Sequence, residues 1–183
     1  PINSQEDGRM YYSNWSGMSD IANVIQIQRG LGASKLAISS VGGTVNFVMK
    51  SAEKNRGGFI YQGFANDNYL KSTVSYDTGM NENGWATSLL FTHWQGDGYA
   101  EGTYGQGQTY FISVGYKAND KHSFNFLLTG APQNHDEQFS QSIQSFIDKG
   151  IKFNDNIGYV GNVYKTEETN FYHKPVFLSL IHI

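Results

Sequence analysis

The side chains best suited to catalysis or metal binding are scattered along this sequence. His135, Asp136 and Glu137 carry ligand atoms, but adjacent residues rarely converge on one ion, so we expect a solvated acidic segment there. Three other histidines fall on separate predicted strands or turns, with no Ser or Asp partner implied for a catalytic triad. The chain has no Cys, which excludes thiol nucleophiles and cysteine zinc sites. We therefore predict neither an enzyme nor a bound cofactor.

Binding of nucleotides or nucleic acids is also disfavoured. Gly30-Leu31-Gly32 begins like a dinucleotide fingerprint, but Lys35 occupies the third glycine position and no βαβ unit surrounds it. The formal net charge is −3, whereas a nucleic-acid-binding surface requires a basic stripe. No nucleic-acid partner is expected.

Five aromatic residues are the candidates for contact with a small ligand. Tyr11, Tyr12 and Trp15 precede the first predicted strands, and Tyr99 and Tyr104 lie in a glycine-rich segment. Exposed aromatic rings can stack on a ligand. The alternative is that they pack within the protein, and the sequence leaves both interpretations open.

The composition predicts that these residues are carried by β-strands. The 183 residues include 12 Tyr, 12 Phe and 21 Gly, and only 16% are charged. Aromatic residues favour pleated sheets and glycine favours turns. Alternation of apolar and polar residues predicts an antiparallel meander of five strands, at about 58–66, 69–79, 84–95, 107–118 and 121–130.

The connections between these strands predict a membrane barrel. Tight turns at 81–84 and 119–121 contrast with longer connections at 95–108 and about 131–170, and the strands are long enough to cross a bilayer at a tilt. The row of apolar residues would face lipid. Ile112 belongs to this row, whereas Ser113 would lie on the opposite face. A soluble β-sandwich also alternates and is the competing fold.

The long connection is expected to carry one helix. At 138–149, Phe139, Ile143, Phe146 and Ile147 have helical spacing, and Gly150 would end the helix. The four apolar side chains are predicted to pack inward.

Residues 24–50 resemble the C-terminal end of the plug domain of TonB-dependent outer-membrane receptors. The shared pattern is a strand ending in Arg29-Gly30, a run of small residues, Gly42-Gly43-Thr44-Val45-Asn46, and a short second strand. Met49-Lys50 stands where the family has Thr-Lys. Further segments resemble receptors of the Bacteroidetes group, which extends the resemblance over most of 10–176: Tyr12–Gly17, Trp94–Tyr99, Gly130–Gln133 and Asn170–Pro175.

The resemblance implies an all-β fold, in which the end of a plug domain precedes the first five to six strands of a transmembrane barrel. We expect the plug part at 1–50, a linker at 51–57 and the barrel strands at 58–177, with an extracellular loop at 131–170. Residues 178–183 resemble a translated sequencing adapter and are expected to be a non-native tail. The chain would thus be an internal fragment of a longer protein.

The implied function is energy-coupled uptake of a scarce nutrient across the outer membrane of a Gram-negative bacterium. The ligand would be a siderophore, haem, cobalamin, glycan or peptide. Expected partners are outer-membrane lipid, the TonB complex acting through an N-terminal region absent here, and a surface lipoprotein. Arg29, Gly42 and Gly43 would contact the barrel wall. The alternatives are a passive porin or adhesin and a secreted carbohydrate-binding sandwich.

Overall fold

The computed structural model describes Met10, Trp15 and residues 17–30, 42–138, 140–160, 163–165, 168–171 and 176–182. Twelve strands and two α-helices are present in this part of the chain. In chain order they are α1 Met18–Ile21, β1 Val24–Arg29, β2 Gly43–Val48, β3 Gly57–Phe64, β4 Leu70–Asp77, β5 Trp85–Asp97, β6 Tyr104–Lys117, β7 His122–Gly130, β8 Gln133–Asp136, α2 Ile143–Lys149, β9 Gly158–Val160, β10 Val163–Lys165, β11 Glu168–Phe171 and β12 Val176–His182.

Eight strands form one antiparallel sheet. Strands β3, β4, β5 and β6 follow one another as a meander, and β7 and β8 lie one after the other along the free edge of β6. Strand β12 pairs with β7, and β11 pairs with β8. The sheet therefore has six strand positions, in agreement with the predicted five to six strands of an incomplete barrel.

The predicted meander is confirmed, but the glycine-rich connection at 95–108 is not. Strand β5 continues to Asp97 and β6 begins at Tyr104, so only residues 98–103 connect them. Three glycines of this segment, Gly96, Gly105 and Gly107, lie inside strands, and aromatic residues in or next to the neighbouring strands approach them closely. A Cβ on Gly96 would lie 3.0 Å from the Cα of Tyr69, and one on Gly105 would lie 3.3 Å from the Trp94 ring.

Asparagine side chains close both short turns, which lie at one end of the sheet (the turn end). The Oδ1 of Asn81 accepts hydrogen bonds from the backbone of Asn83 and Trp85. Asn119 accepts in the same way from Lys121 and His122. Such local bonds are the reason that Asn favours turns. The connections at 65–69, 98–103 and from 131 lie at the opposite end, the loop end.

One face of the sheet, the outer face, is apolar and exposed. The strand register places Val74, Phe91 and Tyr110 in one row and Leu89 and Ile112 in the next. Nearer the turn end, the rings of Trp85 and Tyr116 stack with their centroids 4.4 Å apart. This arrangement confirms that the predicted apolar row shares one exposed face, and a patch of this size marks an interaction surface.

The opposite, inner face is small, polar and buried. Its buried side chains are mostly hydroxyls, and those of Thr73 and Thr92 lie 2.9 Å apart in a hydrogen bond. Leu90, Phe111 and Leu127 add one apolar island to this face. A soluble sandwich would bury its apolar face and expose its polar one, which is the reverse of the polarity found here.

Helix α2 is shorter and more exposed than predicted. It begins after Ser142, whose side chain accepts a hydrogen bond from the Ser145 backbone, and it ends at Gly150 as expected. Ile143 and Ile147 are 79% and 71% exposed, so the prediction that the stripe packs inward is wrong for them. Phe139 lies outside the described residues. Seven residues give two turns, too few to hold the whole stripe against one surface.

The remaining segments add detail that the sequence did not predict. Strands β8 to β11 occupy the segment expected to carry only a helix, and β9 and β10 form a separate two-stranded sheet. The expected linker holds a short 3-10 helix at Ser51–Glu53, and β12 occupies most of the expected non-native tail. Among the described residues, no helix is long and apolar enough to cross a membrane.

Candidate functional site

Helix α1 and the 3-10 helix lie against the inner face of the sheet, whereas every residue of β1 is exposed. Strands β1 and β2 pair only with each other in this part of the chain, in a register that joins Val24 to Val48 and Arg29 to Gly43. Helix α1 precedes them, and Ile21 is buried in the apolar island of the inner face. We refer to α1, β1, β2 and the 3-10 helix together as the inner segment.

Small side chains bring the inner segment close to the sheet. A Cβ on Gly17 would lie 2.7 Å from Thr109, so the chain before α1 rests directly on β6. At the other end, the Oγ of Ser51 lies 3.3 Å from the Oγ of Ser113, and Gly115 leaves space for Ala52. Thr109, Ser113 and Gly115 of β6 are therefore small residues of the inner face that the inner segment contacts.

Polar interactions fix the position of α1. The carboxylate of Asp20 forms an ion pair of 2.8 Å with the Nζ of Lys71 on β4. The side chain of Asn23 accepts a hydrogen bond from the Lys50 backbone at 2.9 Å and donates one to the Lys50 carbonyl at 3.2 Å. The beginning and the end of the inner segment are thus joined to each other and to the sheet.

A cavity of about 630 Å³ remains at the loop end of the inner face, beside Gly17. Its volume is in the range of small-molecule sites. Four aromatic residues with large rings contribute to its wall: Tyr69, Trp94, Tyr99 and Tyr104. Their rings make this cavity the candidate ligand site of the chain.

One row of the strand register builds the floor of the cavity. Trp94 of β5 pairs with Gly107 of β6, and Gly107 pairs with Gln133 of β8. A Cβ on Gly107 would lie 2.7 Å from the Trp94 Nε1 and 3.0 Å from the Gln133 Cβ. The absence of a side chain at Gly107 therefore leaves room for the indole beside β6, where Trp94 lines the cavity.

The charged groups around the cavity already have partners. Lys71 is paired with Asp20, and Asp97 accepts a hydrogen bond of 2.6 Å from the side chain of Asn68. Asp136 accepts a hydrogen bond of 2.9 Å from the backbone of Tyr104. The cavity thus presents aromatic faces, amides and hydroxyls, without a cluster of like charges.

The structure places two of the five predicted ligand contacts at the cavity. Tyr99 and Tyr104 both line it, and Tyr99 also lies under Lys152, whose Nζ is 5.5 Å from the ring centroid. Trp15 is partly buried and precedes Gly17 of the cavity wall. Tyr11 and Tyr12 lie outside the described residues. Contact of these five residues with a ligand stays a prediction.

The three residues predicted to touch a barrel wall lie in or beside the β1–β2 pair. Gly43 has φ +118, and a Cβ there would overlap the Gln28 carbonyl oxygen, so its glycine is required by the partner strand. Gly42 has open space around it, and Arg29 is exposed at the end of β1. Their predicted contact with a wall remains a prediction.

Sequence reasoning missed Trp94, Gln133 and Lys71. The signal that could have found them is the Gly105-x-Gly107 spacing, which in a strand clears two successive positions on one face. The sequence interpretation assigned Gly105 to the connection at 95–108 and placed Gly107 where that connection meets the strand predicted at 107–118. In the part of the chain that is described, no group of three or more His, Asp or Glu side chains could hold a metal ion.

Comparison with known proteins gives matches to solved structures. No family model matches the chain, and no curated protein does. The ferripyoverdine receptor of the outer membrane of Pseudomonas aeruginosa, solved with ferripyoverdine, matches with a TM-score of 0.67 at 14% identity, over 88% of this chain and 22% of the receptor chain. The same receptor, FpvA, bound to heterologous pyoverdines matches over 89% of this chain and 22% of its own, with the same TM-score and identity.

This likeness establishes the fold. The chain has the fold of the end of a plug domain followed by the first strands of an unclosed outer-membrane receptor barrel, and it spans about a fifth of the length of those receptors. Both matched proteins are named as receptors.

Proposed function

We propose that this chain is part of a TonB-dependent receptor in the outer membrane of a Gram-negative bacterium, of the Bacteroidetes type. It takes up a scarce nutrient through energy-coupled rearrangement of the plug. Residues 1–50 are the end of the plug, 51–57 the linker, and 58–177 the first barrel strands with the extracellular segment 131–170. Its partners are outer-membrane lipid, the TonB complex through residues that precede this segment, and a surface lipoprotein.

The observation that carries the proposal is the polarity of the sheet. Apolar side chains such as Ile60, 87% exposed, occupy the outer face, and buried hydroxyls such as those of Thr92 and Ser113 occupy the inner face. A barrel in lipid needs this distribution. A carbohydrate-binding sandwich in water would need the opposite one.

The inner segment favours a receptor over a passive porin or adhesin. It covers the inner face from Gly17 on Thr109 to Ser51 on Ser113. In a receptor barrel, an inner segment in this position blocks the passage along this part of the wall. Transport therefore requires the inner segment to move. Movement against an ion pair and an apolar contact requires work, which an energised partner supplies.

Cross-linking the inner segment to the wall tests the proposal. Asp20→Cys and Lys71→Cys replace the ion pair, and the chain has no other Cys. In the full-length protein, cleared of any further cysteine, a short bifunctional thiol reagent should abolish uptake in the double variant. Each single variant treated with the same reagent should keep its uptake.

Two results would contradict the proposal. Uptake that continues after complete cross-linking would show that the inner segment does not gate a passage. Uptake that a protonophore leaves unchanged in the untreated protein would identify a passive pore.

A further inference from the structure

Asn154 is a fully buried residue in a stretch without regular structure. It lies between α2 and β9, and its exposed fraction is 0%, whereas the neighbouring Asp155 is exposed. Asparagine is mostly found at protein surfaces, and its amide must be hydrogen-bonded where it is buried. The partners of this amide therefore show what the residue holds.

Three hydrogen bonds use both ends of the Asn154 amide. The Nδ2 donates to the backbone carbonyl of Glu101 and to that of Glu137, each at 3.3 Å. The Oδ1 accepts a hydrogen bond of 3.1 Å from the backbone of Asn156. An amide nitrogen has two hydrogens to donate, so both are engaged. One side chain thus joins the connection at 98–103 to the residue that follows β8.

A backbone hydrogen bond and a ring contact reinforce the link to the connection at 98–103. The N–H of Glu101 donates to the carbonyl of Lys152 at 2.8 Å, so both backbone polar groups of Glu101 are bound by residues 152–154. The Nζ of Lys152 also lies 5.5 Å from the ring centroid of Tyr99, within the range of a cation–π contact. The connection is thus fastened to this stretch at two of its residues.

Helix α2 is fastened to the same stretch. The side chain of Gln141, which precedes α2, donates a hydrogen bond of 3.2 Å to the carbonyl of Phe153. The Nζ of Lys149, the last residue of α2, lies 4.2 Å from the Phe153 ring centroid. The helix and the connection at 98–103 therefore meet at residues 152–154.

Two residues of the cavity wall belong to the parts that Asn154 joins. Tyr99 lies in the connection at 98–103, and Gln138 directly follows Glu137. Asn154 is not itself one of the described residues that line the cavity. Any effect of Asn154 on the cavity is therefore exerted through these two residues.

From these contacts we propose that Asn154 is a positioning residue of the cavity. It holds the connection at 98–103 and helix α2 together as one rigid unit, so that Tyr99 and Gln138 keep a fixed separation in the cavity wall. This inference rests on the proposed function only in treating the cavity as a ligand site.

Spin-label distances in the purified full-length protein, cleared of any further cysteine, test whether this unit is rigid. The labels are placed at Glu101→Cys and Ile147→Cys, where both side chains are exposed. We expect one narrow distance distribution in the parent and a broad one in Asn154→Asp, because aspartate keeps the acceptor for Asn156 but replaces both donors. The Glu101 amide should exchange with solvent more than tenfold faster in this variant, as for two lost hydrogen bonds.

Asn154→Ala is the second variant, because it removes the same donors without burying a carboxylate. It should broaden the distribution as well and should also accelerate exchange of the Asn156 amide, which loses its acceptor. Gln144→Ala is the matched control, because it removes an exposed amide of α2 whose hydrogen bond goes to Asp148 of the same helix. It should leave the distance and the exchange of Glu101 unchanged.

The inference is overturned if both Asn154 variants keep the parent distance distribution and the parent exchange rate at Glu101, or if Gln144→Ala changes them as much. Faster exchange confined to residues 152–156 would also contradict it, because that result would show a local structural role. These measurements need neither a ligand nor an energised partner. A negative result would therefore leave the uptake test of the proposed function unaffected.

Discussion

Asp20 of α1 and Lys71 of β4 form an ion pair of 2.8 Å that joins the inner segment to the sheet. Both side chains are about a quarter exposed, at 26% and 27%, so water screens the pair only in part. The two residues are 51 positions apart in sequence, so the pair joins two distant parts of the chain.

Reversing one charge of this pair should loosen the inner segment. Lys71→Asp places two carboxylates together, and we expect a loss of about 0.5–1 kcal/mol in the free energy of docking. The measurement is hydrogen exchange of the α1 and β1 amides in the full-length protein. The exchanged pair Asp20→Lys with Lys71→Asp should restore the parent rates. Equal rates in all three proteins would mean that the pair contributes nothing to docking.

A charged side chain should destabilise the protein more on the outer face than on the exposed helix α2. Ile112→Arg places a charge in the apolar band and should cost roughly 2–4 kcal/mol if it lies near the bilayer midplane. Ile143→Arg is the matched control, because Ile143 is exposed on α2. It should change stability by less than about 0.5 kcal/mol.

Urea unfolding of the full-length protein in lipid vesicles compares these two variants. Similar losses at both positions would contradict a lipid-facing role for Ile112. Ser113, the neighbour on the inner face, is unsuitable as a control because it is fully buried beneath Ser51.

Two adjacent glycines should respond differently to alanine. Gly43→Ala forces a Cβ onto the Gln28 carbonyl at φ +118, and the strain should cost about 1–3 kcal/mol. Gly42→Ala meets no atom within 4 Å and should be close to neutral. Exchange rates of the β1 and β2 amides check the expectation. It is wrong if Gly42→Ala accelerates exchange as much as Gly43→Ala does.

The turn between β6 and β7 provides a prediction about pH. The side chain of Lys117 donates a hydrogen bond of 2.8 Å to Asp120, and this bond and the positive charge lower the pKa of Asp120 below its usual 3.8. A lowered pKa stabilises the folded state above the ordinary carboxyl pKa, and this stabilisation is lost as the pH falls through the lowered value.

Lys117→Met should therefore return the pKa of Asp120 toward its usual value. Titration of ¹³C-labelled aspartate carboxyls by NMR measures this change directly. An Asp120 pKa that is the same in both proteins would show that the ion pair does not form in solution.

Local patterns were sufficient to predict the strands of the wall. Alternation between apolar and polar residues places Ile112 and Ser113 on opposite faces, and asparagines at 81 and 119 mark the turns. The pattern failed at Gly105, because a glycine in a strand and a glycine in a loop look the same in one sequence. What distinguishes them is the Trp94 ring on the neighbouring strand, which is a tertiary contact.

The candidate site was less predictable for the same reason. Tyr99 and Tyr104 were selected as aromatic residues near a turn, and they line the cavity. Gln133 was not selected, because its importance depends on burial and on the lack of an acceptor. Neither property can be read from residue type or spacing.

In the proposed receptor, the outer face of this sheet lies in lipid while its inner face holds the plug. Spin labels at single cysteines from 109 to 116 distinguish the two environments in the full-length protein in bilayers. Labels at 110, 112, 114 and 116 should be accessible to oxygen dissolved in lipid and protected from a water-soluble relaxant, and those at 109, 111, 113 and 115 should be protected from both. If the water-soluble relaxant reaches the labels at 110, 112, 114 and 116, the outer face lies in water, and the proposal that it lies in lipid is wrong.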